Sequence, residues 1–113
     1  MQSVSAPNKP QIIVCESQMK FIALEIENTN ATAADFEPHL KNEARHVWEL
    51  QQQGFIREVY FRADQRTVVL VLECESLPQA KQLISSFPLV QQGLIHFDII
   101  PLVPYSGFSR LFV

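Results

Sequence analysis

Six consecutive residues, Thr67-Val68-Val69-Leu70-Val71-Leu72, constrain this chain more than any other stretch. The run is β-branched and aliphatic, and side chains alternate across a strand. Val69 and Val71 therefore face one side of a sheet, and Val68, Leu70 and Leu72 the other. Both sides want to be dry. Just upstream, Phe55, Ile56, Val59, Tyr60 and Phe61 form a second arm, and the polar Ala63-Asp64-Gln65-Arg66 lies between the two. The pair reads as a hairpin, without the Asn-Gly or Asp-Gly that marks the tightest turns. A chain of 113 residues has room for one core, so it must find cover for both faces of this sheet.

In chain order, residues 1–18 read as a flexible segment with a short apolar run at Ile12–Cys15. Met19–Glu27 is the first strand. Ile22, Leu24 and Ile26 define the face expected to be wholly buried. The Phe21 and Ala23 face turns polar at Glu25 and Glu27, and so opens toward solvent or a pocket near the strand's end. Asn28–Ala34 is a loop, and Asp35 is the expected N-cap or first-turn residue of a helix that tolerates Pro38 early, runs to about Gln53 and closes at Gly54. Its apolar stripe is Phe36, Leu40, Val47 and Leu50, with Ala44 and Trp48 beside it. Ser76 caps a second helix that buries Ala80, Leu83, Ile84 and Phe87 and is ended by Pro88. Leu89–Gly93 reads as a connection and Leu94–Val103 as the last strand, placed at a sheet edge by Pro101. The tail, 105–113, carries Tyr105, Phe108, Leu111, Phe112 and Val113. So much apolar surface implies that it docks on the domain, 19–104, or on a partner.

Strand, helix, strand, strand, helix, strand is the order of a ferredoxin-like βαββαβ sandwich. It is an α+β fold in which two helices cover one face of a four-stranded antiparallel sheet. The other face is apolar too, and the simplest cover is a second copy packed face to face into a barrel-like homodimer, alone or within a higher oligomer. Hydrophobic residues make up 47% of the chain and charged residues 19%, with a net charge of −3 and no basic stripe, which argues against a nucleic acid or an anionic membrane partner. No apolar stretch approaches membrane-spanning length, and a cytoplasmic setting is the expectation. Cys15 and Cys74 have no zinc-type spacing. They read as reduced thiols, and a disulfide would need the N-terminal segment to cross the sheet at Cys74.

Chemistry has a few places to sit. His39, Glu43 and His46 fall at i, i+4 and i+7 on the first helix, beside its apolar stripe. They form either a proton-transfer lip or a solvated shoulder. His96 and Asp98 share a face of the last strand, as an oriented base or an ordinary hydrogen-bonded pair. Glu58, Tyr60 and Arg62 share a face of the hairpin, where Tyr60 and Arg62 either hold a carbonyl-bearing or anionic ligand or meet solvent. Trp48 either borders a ligand or, together with Phe61, fills its space. Three glycines provide no phosphate cradle, and no cofactor fingerprint or metal-ligand set occurs, so the expected cofactor and metal are none.

Glu49-Leu50-Gln51-Gln52-Gln53-Gly54, then Arg57, Ser76-Leu77-Pro78-Gln79-Ala80, Ser86-Phe87-Pro88-Leu89 and Phe97-Asp98-Ile99-Ile100-Pro101-Leu102 together resemble the muconolactone isomerase-like branch of the dimeric α+β barrel superfamily. The resemblance covers the layout from Met19 to Pro104 and singles out Arg57. It implies the dimeric barrel and cofactor-free isomerisation of a small lactone-like or unsaturated acid, with a His or Glu as base and Arg57 or Tyr60 holding charge. These barrels host many activities, and the alternative is a non-catalytic small-molecule-binding or structural dimer module. An enzyme requires a cleft between the sheet and the first helix. A structural module requires that space to be filled by Trp48 and Phe61.

Overall fold

A computed structural model of the protein describes residues 18–113. The segment 1–17, with the Ile12–Cys15 run, lies outside the described residues. The elements are β1 (Met19–Glu27), α1 (Ala33–Phe36), a 3-10 turn (Glu37–His39), α2 (Leu40–Gln52), β2 (Ile56–Phe61), β3 (Val68–Cys74), α3 (Leu77–Ser85), α4 (Pro88–Gln91), β4 (Ile95–Leu102) and a closing 3-10 turn (Gly107–Phe112). The sheet is four-stranded in the order β2-β3-β1-β4 with every neighbouring pair antiparallel. This α+β arrangement is consistent with the ferredoxin-like pattern. Pro101 sits on β4, an edge strand.

Local chemistry explains the boundaries. Thr32, not Asp35, is the first N-cap. Its hydroxyl accepts from the Asp35 amide, and the Asp35 carboxylate accepts from the Thr32 amide, which places Asp35 third in a capping box. Pro38 divides the expected helix into α1, a tight 3-10 turn and α2. At the far end, Gly54 adopts φ 89°, Phe55 N–H bonds to Leu50 O and Gly54 N–H to Gln51 O. That left-handed closure turns the chain into β2. Ser76 caps α3 by accepting from the Gln79 amide. Pro88 ends α3 as expected, but it also starts something: the stretch taken as a connection holds α4. Proline suits the first position of a helix because its missing N–H would have no partner there. Gly93, at φ 73°, then closes α4 as Gly54 closes α2.

The core lies on one side of the sheet. Phe21 and Ala23 of β1, Ile56 of β2 and Leu70, Leu72 and Cys74 of β3 pack against Leu50 of α2, Ala80 and Ile84 of α3, and Phe87. Both major helices therefore cover the same face. The expected burial of β1 is reversed in this chain: Phe21 and Ala23 are fully buried, whereas Ile22 and Leu24 are half-buried and Ile26 is 43% exposed. Alternation makes the two sets mutually exclusive, and the helices fell on the Phe21 side. The uncovered face is still apolar. Ile22 stands opposite Val71 and Ile100, and Leu24 opposite Val69, with Leu102 further along. Cys74 is a buried free thiol whose Sγ donates to Ser76 O at 3.6 Å. Among the described residues no helix is long and apolar enough to cross a membrane.

Candidate functional site

A cleft of about 610 Å³ opens where the first half of α2 leaves the C-terminal end of β1. Leu40 and Val47 of α2, with Phe36 at the end of α1, make one wall. The sheet supplies Val59, Val68 and Phe97, and Leu89 of α4 closes the base. The space that Trp48 and Phe61 would fill in a structural module is open: Phe61 stands at the rim, and Trp48 lies outside the lining, 62% exposed.

Two carboxylates face this apolar space. Glu25, only 8% exposed, accepts a hydrogen bond from the Val68 amide through Oε1 at 2.9 Å. Burial raises its pKa above the usual 4.5, the Val68 bond pulls the other way, and the Glu27 charge adds to the rise. Glu43 accepts from the Leu89 amide at 3.0 Å and so supplies the cap that Phe87 cannot give α4. Burial raises its pKa as well, against the Leu89 bond, and the Glu25 charge adds a smaller push. The Glu25 charge thus reaches Glu43 across the cleft, behind the effect of burial. Glu27 and Arg66 complete the charged lining, and the Arg66 guanidinium lies 4.9 Å from the centre of the Phe61 ring.

Of the residues nominated from sequence, the cleft brings together Glu43 and Tyr60. His46 is on the neighbouring helix face. Its Nε2 lies 2.7 Å from Ser86 Oγ, whose own proton goes to Leu83 O, so His46 is the donor, and its ring meets Phe87 edge-on at 5.2 Å. It pins α2 to the α3–α4 corner. His39, half-buried, is outside the cleft lining. Arg57 sits at a β-bulge and pairs with Glu73 at 3.4 Å, away from the cleft. Tyr60 donates to Glu58 at 2.6 Å and Arg62 makes a two-pronged contact with Asp64, so each has a neighbour on its own hairpin. His96 Nδ1 meets Asn28 Oδ1 at 2.9 Å, Asn28 Nδ2 donates to Gly93 O, and Asp98 shares the open face with His96. Among the described residues no three metal-ligating side chains come together.

Glu25 and Arg66 were missed. The signal for Glu25 was present, since a carboxylate interrupts an otherwise apolar face at Phe21 and Ala23, and that interruption was already the reason to expect a pocket at the strand's end. Arg66 gave no comparable signal. It reaches the rim because it takes a left-handed φ of 52° at the hairpin turn. Fold and cleft together define a small α+β protein with an apolar pocket lined by the two amide-anchored carboxylates Glu25 and Glu43. Neither a family model nor a curated protein matches the sequence.

Proposed function

We propose that the chain forms a homodimeric α+β barrel through its open sheet faces and performs cofactor-free proton transfer on a small lactone-like molecule bound in the cleft. The observation that supports this most is the pair Glu25 and Glu43. Both are anchored by one oxygen to a main-chain amide, both have raised pKa values, and both face an apolar space of substrate size. A carboxyl group with a raised pKa is a better base once ionised and a competent acid while protonated. In this reading Glu43 takes a proton from the carbon next to the substrate carbonyl, and Glu25 returns one further along the unsaturated system. Three carboxylates against one guanidinium line the cleft, which favours a neutral lactone over a substrate with its own carboxylate. Arg66 replaces Arg57 as the cation near the site. The buried free thiol of Cys74 suits the cytoplasmic setting that this reading assumes.

Deuterium incorporation tests the chemistry. With a β,γ-unsaturated γ-lactone in D₂O, the protein should speed both exchange and conversion to the conjugated isomer. Glu43→Gln, whose amide oxygen still caps α4, should lower that rate by about 10²- to 10⁴-fold. A Glu43→Gln rate equal to that of the unaltered protein rules out the assignment.

One observation favours the non-catalytic reading. Glu25 and Glu43 each satisfy a main-chain amide, at Val68 and Leu89, which is a sufficient structural reason for both. That reading expects lactones to bind in the cleft without exchange above the protein-free control.

A further inference from the structure

Residues 103–113 present six large apolar side chains to water: Val103, Tyr105, Phe108, Leu111, Phe112 and Val113, each at least 66% exposed. The segment is nonetheless organised. The Tyr105 and Phe108 rings meet edge-on with centroids 4.9 Å apart, and Ser109 N–H bonds to Ser106 O. Tyr105 lies so closely over Gly107 that any Cβ there would collide with its ring. The result is a pre-formed aromatic knob whose large side chains stay exposed. It follows directly from Leu102, which lies on the open face of the edge strand β4.

We infer that this segment is an arm that clasps a second copy of the chain at the rim of the sheet-to-sheet seam. The inference rests on the face-to-face dimer proposed above. The argument is one of area. On the open face only three adjacent strands are apolar, β1 at Ile22, Leu24 and Ile26, β3 at Val69 and Val71 and β4 at Ile100 and Leu102, while β2 presents Glu58 and Tyr60. At about 4.8 Å per strand and about five residues of about 3.3 Å, the planar apolar footprint is about 14 by 16 Å. Even allowing an accessible area about twice that projection, the apolar patch falls well short of the roughly 800 Å² that each partner of a standard stable interface buries. The same chain holds a compensating apolar surface, exposed and directly following Leu102 at the end of β4. An arm on each copy reaching the other is self-complementary, as two-fold symmetry requires.

The test uses the full chain. Isotope-filtered NMR on a mixture of labelled and unlabelled copies should show contacts from the Tyr105 and Phe108 rings to methyl groups of the other copy. Phe108→Ser with Phe112→Ser should raise the dimer dissociation constant by sedimentation at least about 100-fold, because the two arms of a dimer together lose four aromatic side chains. A dimer whose dissociation constant the double variant leaves unchanged, or whose ring contacts all lie within one copy, overturns the arm and leaves the dimer standing. A full chain that sediments as a monomer at tens of micromolar overturns both. The NMR experiment on the unaltered chain decides the matter even if the double variant fails to fold.

Discussion

Glu25 marks the point on β1 where one face stops being core and becomes cleft. Its raised pKa has a consequence for stability of defined sign. The folded chain prefers the protonated form, so folding loses stability as pH rises from the ordinary 4.5 through the raised value, and regains it as pH falls back. Asp35 and Asp64 act in the opposite sense. Hydrogen bonds from Thr32 and from Arg62 lower their pKa values, so whatever they contribute is present above 3.8 and disappears at lower pH. Glu25→Gln removes the charge while keeping an acceptor for the Val68 amide. The variant should therefore have a higher unfolding midpoint than the unaltered protein at pH 7, with the gap closing as pH approaches 4.5. A gap that is constant with pH, or a variant less stable at pH 7, contradicts the burial of a charged carboxylate. At this scale the sequence was only partly legible. Histidines drew notice because of their titration range, yet His46 and His96 are tied to Ser86 and Asn28. Spacing along a helix places residues on a stripe but does not say which neighbour the fold brings against it.

The elements were more legible, because their ends are written in local chemistry. Gly54 as a stop, Ser76 as a cap and Pro101 as an edge marker each work through backbone geometry that needs no knowledge of distant contacts. Thr32 was harder to pick out of a loop with several capping residues, and α4 was hidden because Pro88 was credited with ending one helix and not with beginning another. The burial of β1 was beyond local reading. Both of its faces begin apolar, and the deciding factor is where the helices land. Gly54 gives the element-scale prediction. A Cβ there would find its nearest neighbour, Arg57 Nη1, at 3.9 Å, so space is not the obstacle. The φ of 89° is. Gly54→Ala should destabilise the fold by about 1–2 kcal/mol, as expected for a non-glycine residue held left-handed, read from the urea midpoint. A smaller effect would mean that the α2–β2 junction can relax into another closure.

At the scale of the whole molecule, one sheet face is covered by α2 and α3 and the other carries Ile22, Leu24, Ile26, Val69, Val71, Ile100 and Leu102 without a covering helix among the described residues. If a second copy supplies that cover, stability depends on concentration, because association favours only the folded state. For a cooperative unit of two chains, each tenfold rise in concentration should raise the melting temperature by roughly 3–5 °C. Leu24→Lys tests the geometry directly. Leu24 stands on the open face between Val69 and Asp98, remote from the helix-side core, so the change places an ammonium group in the seam without opening a cavity beneath the helices. The variant should melt at a temperature independent of concentration, below that of the unaltered protein at high concentration. A melting temperature that does not move between 1 and 100 µM for the unaltered protein (a range of about 10², chosen to span usual dimer affinities) would remove the dimer. The cleft lies on the helix side of the same sheet, lined by α2 and by Glu25, Val59 and Val68. Assembly and chemistry are therefore separable: if the cleft of one chain is sufficient for proton transfer, Leu24→Lys should exchange deuterium at the unaltered rate per chain, and if the partner completes the site, exchange should fall as the dimer is lost.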